Sequence, residues 1–182
     1  MEEILEDLYR KYHDDLFRFL FYMVQSREEA EDLVQEVYIR VLKSYSKFEK
    51  RSSEKTWIYA IARNLAMDSF RKQKGSSGTS FYQVELESLQ ICHDMPLPEE
   101  LAIEREDIRK IYVCLKRCTI DQQLVITLRF IQDLSLFETA KALGWTEGKV
   151  KTTQHRAIKK LKSFFQETEQ EQTRNELIKR TG

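Results

Sequence analysis

Between Ala30 and Tyr45 the apolar residues Ala30, Leu33, Val34, Val37, Tyr38, Val41, Leu42 and Tyr45 follow the spacing i, i+3, i+4, i+7 without a break. That period gives a helix one continuous buried face, whereas a strand would need alternation at every second residue. The opposite face carries Glu31, Asp32, Gln35, Glu36 and Arg40, so the segment is amphipathic and must find a partner surface. Ser26 followed by Glu29 predicts a capping-box start for it. The same period puts Leu5, Leu8, Tyr12, Leu16, Phe19, Leu20 and Met23 on one stripe of residues 4–24. A third stripe, Ile58, Ile61, Ala62 and Leu65, predicts a helix over about 56–72 after the cap-like Ser53. With five Gly and two Pro in 182 residues, a turn-rich β fold lacks the punctuation it needs.

The pattern breaks at 74–98, which holds Gly75, Gly78 and both prolines, Pro96 and Pro98. Such a segment reads as a linker. Helical spacing resumes with Leu101, Ile108, Ile111, Tyr112 and Leu115 over 99–118, and Asp121 opens a short apolar helix with Leu124, Val125, Leu128 and Ile131. A helix at 135–143, a break at Gly144-Trp145-Thr146 and a long basic helix from about Glu147 follow. The expected fold is all-α: two small helical domains, 1–73 and 99–166, joined by a flexible linker at 74–98 and followed by a polar tail at 167–182. No apolar run approaches the ~18 residues of a membrane span. The acidic start Met1-Glu2-Glu3 lacks the basic region of a secretory signal, and three cysteines are too few for a disulfide scaffold. A soluble, cytoplasmic protein is the expectation.

The formal net charge is zero, from 30 Lys+Arg and 30 Asp+Glu, but the charges are segregated. Residues 1–36 carry four bases against eleven acids, and residues 40–74 carry ten bases against three acids. Residues 76–110 hold three bases and eight acids, and residues 141–162 hold seven bases and only Glu147. A single basic run is usually a solvated helix face. Two such blocks, each after an acidic stretch, point instead to two surfaces that face a polyanion.

The second block has an internal plan. Residues 134–151 read as a short helix, a tight turn at Gly144 and a second helix capped by Thr146, with the small Ala140 where the two would cross. This is the helix-turn-helix arrangement. Val150, Gln154, Ala157, Ile158 and Leu161 form the inward stripe of the second helix. Lys149, Lys151, Thr152, His155, Arg156 and Lys159 are left to reach phosphates and base edges in a major groove. The competing reading is a hairpin packed for stability with lysines kept outside for solubility.

The first block interleaves Tyr45, Phe48, Trp57, Tyr59 and Phe70 with Lys43, Lys47, Lys50, Arg51, Lys55, Arg63 and Arg71. Basic groups can track a phosphate backbone while aromatic faces stack on unpaired bases, which suits single-stranded nucleic acid. Some of these aromatics, Trp57 and Phe70 among them, could equally serve a core. Catalysis finds little support, because no Gly-rich phosphate loop, HExxH or G-x-S-x-G occurs. Cys92, His93, Cys114 and Cys118 fit no common zinc spacing, and neither a metal nor a cofactor is expected.

Residues 30–38 (AEDLVQEVY) and 55–68 (KTWIYAIARNLAMD) closely resemble the two hallmark segments of group IV, extracytoplasmic-function bacterial sigma factors. Residues 121–161 resemble the second conserved domain of that family, in the same order, and the details are most like its sigma-X kind. The resemblance implies a dissociable, non-enzymatic specificity subunit of RNA polymerase. Asp32, Gln35 and Glu36 would then dock on the clamp helices of the largest polymerase subunit. The loop 48–56, with Lys50, Arg51, Ser52 and Lys55, would capture a base flipped from the −10 element. Trp57, Arg63, Asn64, Asp68 and Arg71 would sit near that element. The helix matching 147–162 would read the −35 element as duplex, and the C-terminal domain would meet the flap of the second-largest subunit. A membrane-bound anti-sigma partner is a further family expectation. The main alternative is a stand-alone helix-turn-helix regulator. A third reading, a metalloenzyme using His93 and the cysteines, would require bound zinc.

Overall fold

The structure, a computed structural model, describes residues 2–73, 111 and 113–181. Its elements are α1 (Glu2–Val24), α2 (Arg27–Ser44), a 3-10 turn (Tyr45–Lys47), α3 (Glu54–Gln73), α4 (Ile120–Ile126), a π-helical turn (Thr127–Ile131), α5 (Leu136–Leu143) and α6 (Glu147–Thr181). The linker segment 74–98, and most of the helix expected over 99–118, lie outside the described residues. Within the latter, 113–116 are helical.

Side chains set the starts of these helices. The Ser26 hydroxyl accepts the Glu29 N–H at 3.3 Å, which is half of the expected capping box. The Glu29 carboxylate does not turn back, because it accepts the Ser69 hydroxyl from α3 instead. Ser53 accepts the Thr56 N–H at 3.2 Å at the head of α3. Complete capping boxes open α4, from Thr119 and Gln122, and α5, from Ser135 and Glu138. The short apolar helix therefore begins at Ile120, one residue before Asp121, because Thr119 supplies the better cap.

Helices α1, α2 and α3 pack on one another. They bury Leu16, Phe19, Leu20, Val34, Val37, Val41, Ile58, Ala62 and Ala66. Tyr59 is fully buried and meets Phe19 edge-on with ring centroids 5.3 Å apart, so it is a core residue and not a stacking platform for bases. In the second half α4, α5 and α6 enclose Leu124, Val125, Leu128, Leu134, Leu143, Val150 and Ala157.

The two halves also pack together: α5 lies against α3, and α4 and the π-helical turn lie against α1. The π turn explains how. Its extra residue per turn is closed by the Gln132 N–H bonding the Thr127 carbonyl at 2.9 Å, and the chain then reverses through Asp133 at φ 53°. This swings Gln132 into the seam, where it is 2% exposed. Beyond Glu167 the polar tail continues α6 as helix to Thr181, which fits its Glu, Gln, Lys and Arg content.

Candidate nucleic-acid interface

The acidic face of α2 is presented as its period requires. Asp32 and Gln35 are exposed, and Glu36 is half-buried in an i,i+4 ion pair with Arg40 at 3.0 Å. Ile39 and Leu42, both partly exposed, lie further along the same side.

The first basic surface divides in two. On α3, residues 57, 64, 68 and 71 fall within one narrow stripe of a 3.6-residue helix. That stripe carries Trp57, Asn64, Asp68 and Arg71, with Asp68 and Arg71 paired at 2.8 Å. The Trp57 indole is half-buried and stacks on Phe48, centroids 4.7 Å apart, with Tyr45 edge-on at 6.0 Å. Tyr45 in turn donates its hydroxyl to Glu54 at 3.0 Å. This aromatic group props up the loop 48–53, on which Lys50 takes a left-handed conformation at φ 53° and Arg51 is exposed, paired with Glu49 at 2.5 Å. Ser52, in the same loop, is half-buried.

Lys55 and Arg63 do not join that stripe. Lys55 points toward the second half of the chain and donates to the Gln132 carbonyl at 2.6 Å. Ser53 reaches the same neighbour, donating to the Glu138 carboxylate on α5 at 3.2 Å. The Arg63 guanidinium reaches round to the Asn64 amide oxygen at 2.8 Å. Periodicity assigns Arg63 and Asn64 to different faces, and only the side-chain bond brings them together.

In the second basic surface, Gly144 closes α5 in a left-handed conformation at φ 65°, and its N–H bonds the Lys141 carbonyl at 3.2 Å. Thr146 then starts α6 by accepting the Lys149 N–H at 3.2 Å. Val150, Ala157 and Leu161 are buried, and Lys151, Thr152, His155, Arg156 and Lys159 are exposed on the outer side of α6. Lys149 is also exposed but is engaged: its ammonium lies 3.7 Å from the Trp145 ring centroid and 3.6 Å from Asp121. It braces α6 against the start of α4. Arg129, missed from the sequence, adds a second brace by donating to Gln154 at 3.2 Å and to the Leu134 carbonyl. No spacing rule reveals that role, because it depends on the π turn.

The cysteines are not poised for chemistry. Cys114 and Cys118 are buried free thiols, and desolvation pushes Cys118 up to about 11. Cys92 and His93 lie outside the described residues. Among the described residues no group of three or more His, Cys, Asp or Glu side chains is placed to hold a metal ion, and no helix is long and apolar enough to cross a membrane.

Comparison with known proteins identifies the arrangement. Residues 8–76 match sigma-70 region 2, and residues 114–163 match sigma-70 region 4. The chain is 52% identical to the ECF RNA polymerase sigma factor SigX of Bacillus subtilis, over 91% of this chain and 86% of that protein. It belongs to the ECF sigma factors of the sigma-70 family. The RNA polymerase sigma factor YlaC of Bacillus subtilis is 33% identical over 92% of this chain and 95% of its own. Among solved structures, the sigma factor RpoE of Bartonella quintana, crystallised with the anti-sigma factor NepR, has the same fold. Its TM-score is 0.69 at 22% identity, covering 91% of this chain and 98% of that one. CnrH, solved with the cytosolic domain of CnrY, gives a TM-score of 0.68 at 16% identity over 91% and 90% of the two chains.

Proposed function

We propose that this sigma factor is a promoter-specificity subunit that binds core RNA polymerase, carries it to −10 and −35 elements and helps to open the −10 region. The observation that carries this reading is the pairing, in one chain, of an aromatic-basic surface on α3 and its loop with a basic helix-turn-helix on α5 and α6. Promoter opening needs one module that holds register on closed duplex and another that stabilises unpaired bases. Flipping a base costs a few kcal/mol, which stacking and hydrogen bonds to the open strand offset.

In this reading Asp32, Gln35 and Glu36 dock on the clamp helices of the largest polymerase subunit, and residues 99–166 meet the flap of the second-largest. Lys50, Arg51 and Ser52, with Trp57, Asn64, Asp68 and Arg71, serve the −10 element. Lys55 and Arg63 join them once their bonds to Gln132 and Asn64 are exchanged. Lys151, Thr152, His155, Arg156 and Lys159 serve the −35 element, and Lys149 holds α6 in place beside them. The domain division 1–73, 74–98 and 99–166 follows the same roles. The protein works in the cytoplasm, with an anti-sigma factor, membrane-bound in the simplest scheme, as its regulator.

The packing of α3 on α5 adds a geometric requirement. Elements named −10 and −35 lie about 25 base pairs apart, roughly 85 Å of duplex at 3.4 Å per base pair. Two directly packed domains do not span that distance. An extended linker of 25 residues covers about 80–90 Å, so promoter engagement opens the seam. The test is transcription by core polymerase on genomic promoter fragments with and without the protein. Start sites that appear only on its addition support the reading. DNA binding by the protein alone, with no new transcripts, would favour a stand-alone helix-turn-helix regulator.

A further inference from the structure

The chain keeps two glycines around the turn that leads into α6, and only one has an internal reason. Gly144 needs its left-handed backbone. Gly148, in the first turn of α6, has no such conformation, and a Cβ built on it would meet nothing nearer than the Thr146 hydroxyl at 4.0 Å. A methyl group would fit there within this protein without displacing anything. Glycine is also the poorest helix former after proline, so the position gives up stability with no return inside the fold.

The surroundings of Gly148 indicate what lies outside. At 100° per residue, Gly148, Thr152, His155 and Lys159 run along the middle of the outer face, opposite the buried Val150, Ala157 and Leu161. Thr152 is exposed, but its hydroxyl is turned back to donate to the Gly148 carbonyl at 3.0 Å. The bond uses the polar end of Thr152 and leaves its methyl group as the outward feature. The leading end of α6 is therefore low and apolar along its centre, with Lys151 on one flank and Arg156 on the other.

We propose that Gly148 is the point at which α6 presses closest to the −35 duplex, and that this approach lets the Thr152 methyl read the C5-methyl group of a thymine. The inference rests on α6 being the −35 reader and extends it by naming a positioning residue and the base group recognised. Thymine alone among the bases offers a methyl group in the major groove, and threonine methyl is a suitable contact for it. The lysine and arginine flanks supply register through phosphates or base edges without reading that methyl.

The test uses the full chain assembled with core polymerase on a promoter fragment recovered by transcription from genomic DNA. Gly148→Ala should raise the melting temperature of the free protein by about 2–4 °C. It should also weaken binding to the −35 duplex about tenfold or more, as overpacking at a close contact does, while binding to core polymerase stays unchanged. Unchanged −35 binding by Gly148→Ala overturns the close approach. Replacing −35 thymines one at a time by deoxyuridine should cost the unmodified protein about fourfold at one position, the worth of one buried methyl group. Thr152→Ser keeps the bond to Gly148 and removes the methyl, so it should no longer distinguish thymine from deoxyuridine there. Equal discrimination by both proteins overturns the methyl contact. Arg156→Ala separates the two levels. If it weakens −35 binding and Gly148→Ala does not, only the present inference fails; if neither weakens it, α6 is not the reader and both fail.

Discussion

The Tyr59 hydroxyl donates to the Gln132 side-chain oxygen at 2.5 Å, joining two residues 73 positions apart in the buried seam between the halves of the chain. Gln132 completes its bonding by donating to the Asp15 carbonyl at 3.2 Å and by accepting Lys55 on its own carbonyl. One polar side chain thus ties α1, α3 and the end of the π turn together. The seam uses Lys55, which the proposed function also assigns to promoter DNA.

Gln132→Leu should loosen this seam. It leaves the buried Tyr59 hydroxyl without its partner, at a cost of about 1–3 kcal/mol, and removes the bond that ties Gln132 to the Asp15 carbonyl of α1. The expected result is a larger radius of gyration in solution scattering, with both halves still helical by circular dichroism. An unchanged scattering profile and unchanged stability would show that Gln132 does not hold the halves together.

Gly144→Ala should destabilise the helix-turn-helix by about 1–2 kcal/mol, the penalty for a Cβ in a left-handed conformation. Nothing lies within 4 Å of a Cβ at this position, so the loss is one of backbone strain and not of crowding. Urea unfolding measures it, and an equal midpoint for both proteins would contradict the strain.

Glu138 gives the seam and α5 a pH dependence. Bonds from the Ser135 side chain and backbone N–H outweigh the opposing effect of burial and, with smaller help from Ser53 and the nearby Lys55 charge, hold its carboxyl below the ordinary 4.5. A depressed carboxyl stabilises the fold above the unfolded value and loses that contribution as pH falls through the folded value. The unmodified protein should therefore lose stability more steeply below about pH 4.5 than Glu138→Gln does. Parallel melting curves for the two proteins from pH 6 down to pH 3 would count against the assignment.

Asp32→Arg combined with Glu36→Arg should abolish co-purification with core polymerase while the helical content is retained. Both groups lie on the outer side of α2, and reversing them juxtaposes like charges with a partner suited to acids. Retained co-purification would remove this face from the polymerase interface.

Arg156→Ala should weaken use of the −35 element by about 1–3 kcal/mol while leaving polymerase binding intact, as expected for one good base contact. Equal loss on every −35 sequence would make Arg156 a phosphate contact instead.

Much of this molecule is legible in the chain because its signals are local. Ser26, Ser53, Ser135 and Thr146 each cap the helix they precede, Gly144 closes α5, and the stripes at 4–24, 30–41 and 147–161 become the buried faces, whereas Leu42, expected on the buried stripe of α2, is exposed beside its acidic side. The residues placed differently by the structure are those whose surroundings come from elsewhere. Tyr59 resembles a base-stacking aromatic by its basic neighbours but is covered by α1 and the second half of the chain. Lys149 resembles a free cation but is held by Trp145 and Asp121. The polar composition after Gln166 suggests a tail, while helix propensity carries α6 onward to Thr181.

The sequence alone determined the helices, their caps, the faces they bury and the segregation of charge into two basic surfaces. Each depends on residues within one or two turns of one another, and the helical period and hydrogen-bonding chemistry act at that range. Only the tertiary structure decided which cations are engaged, which aromatics are core and how the halves meet. The π turn shifts Gln132 out of helical register, and a buried amide is satisfied only where Tyr59, Asp15 and Lys55 converge from other elements.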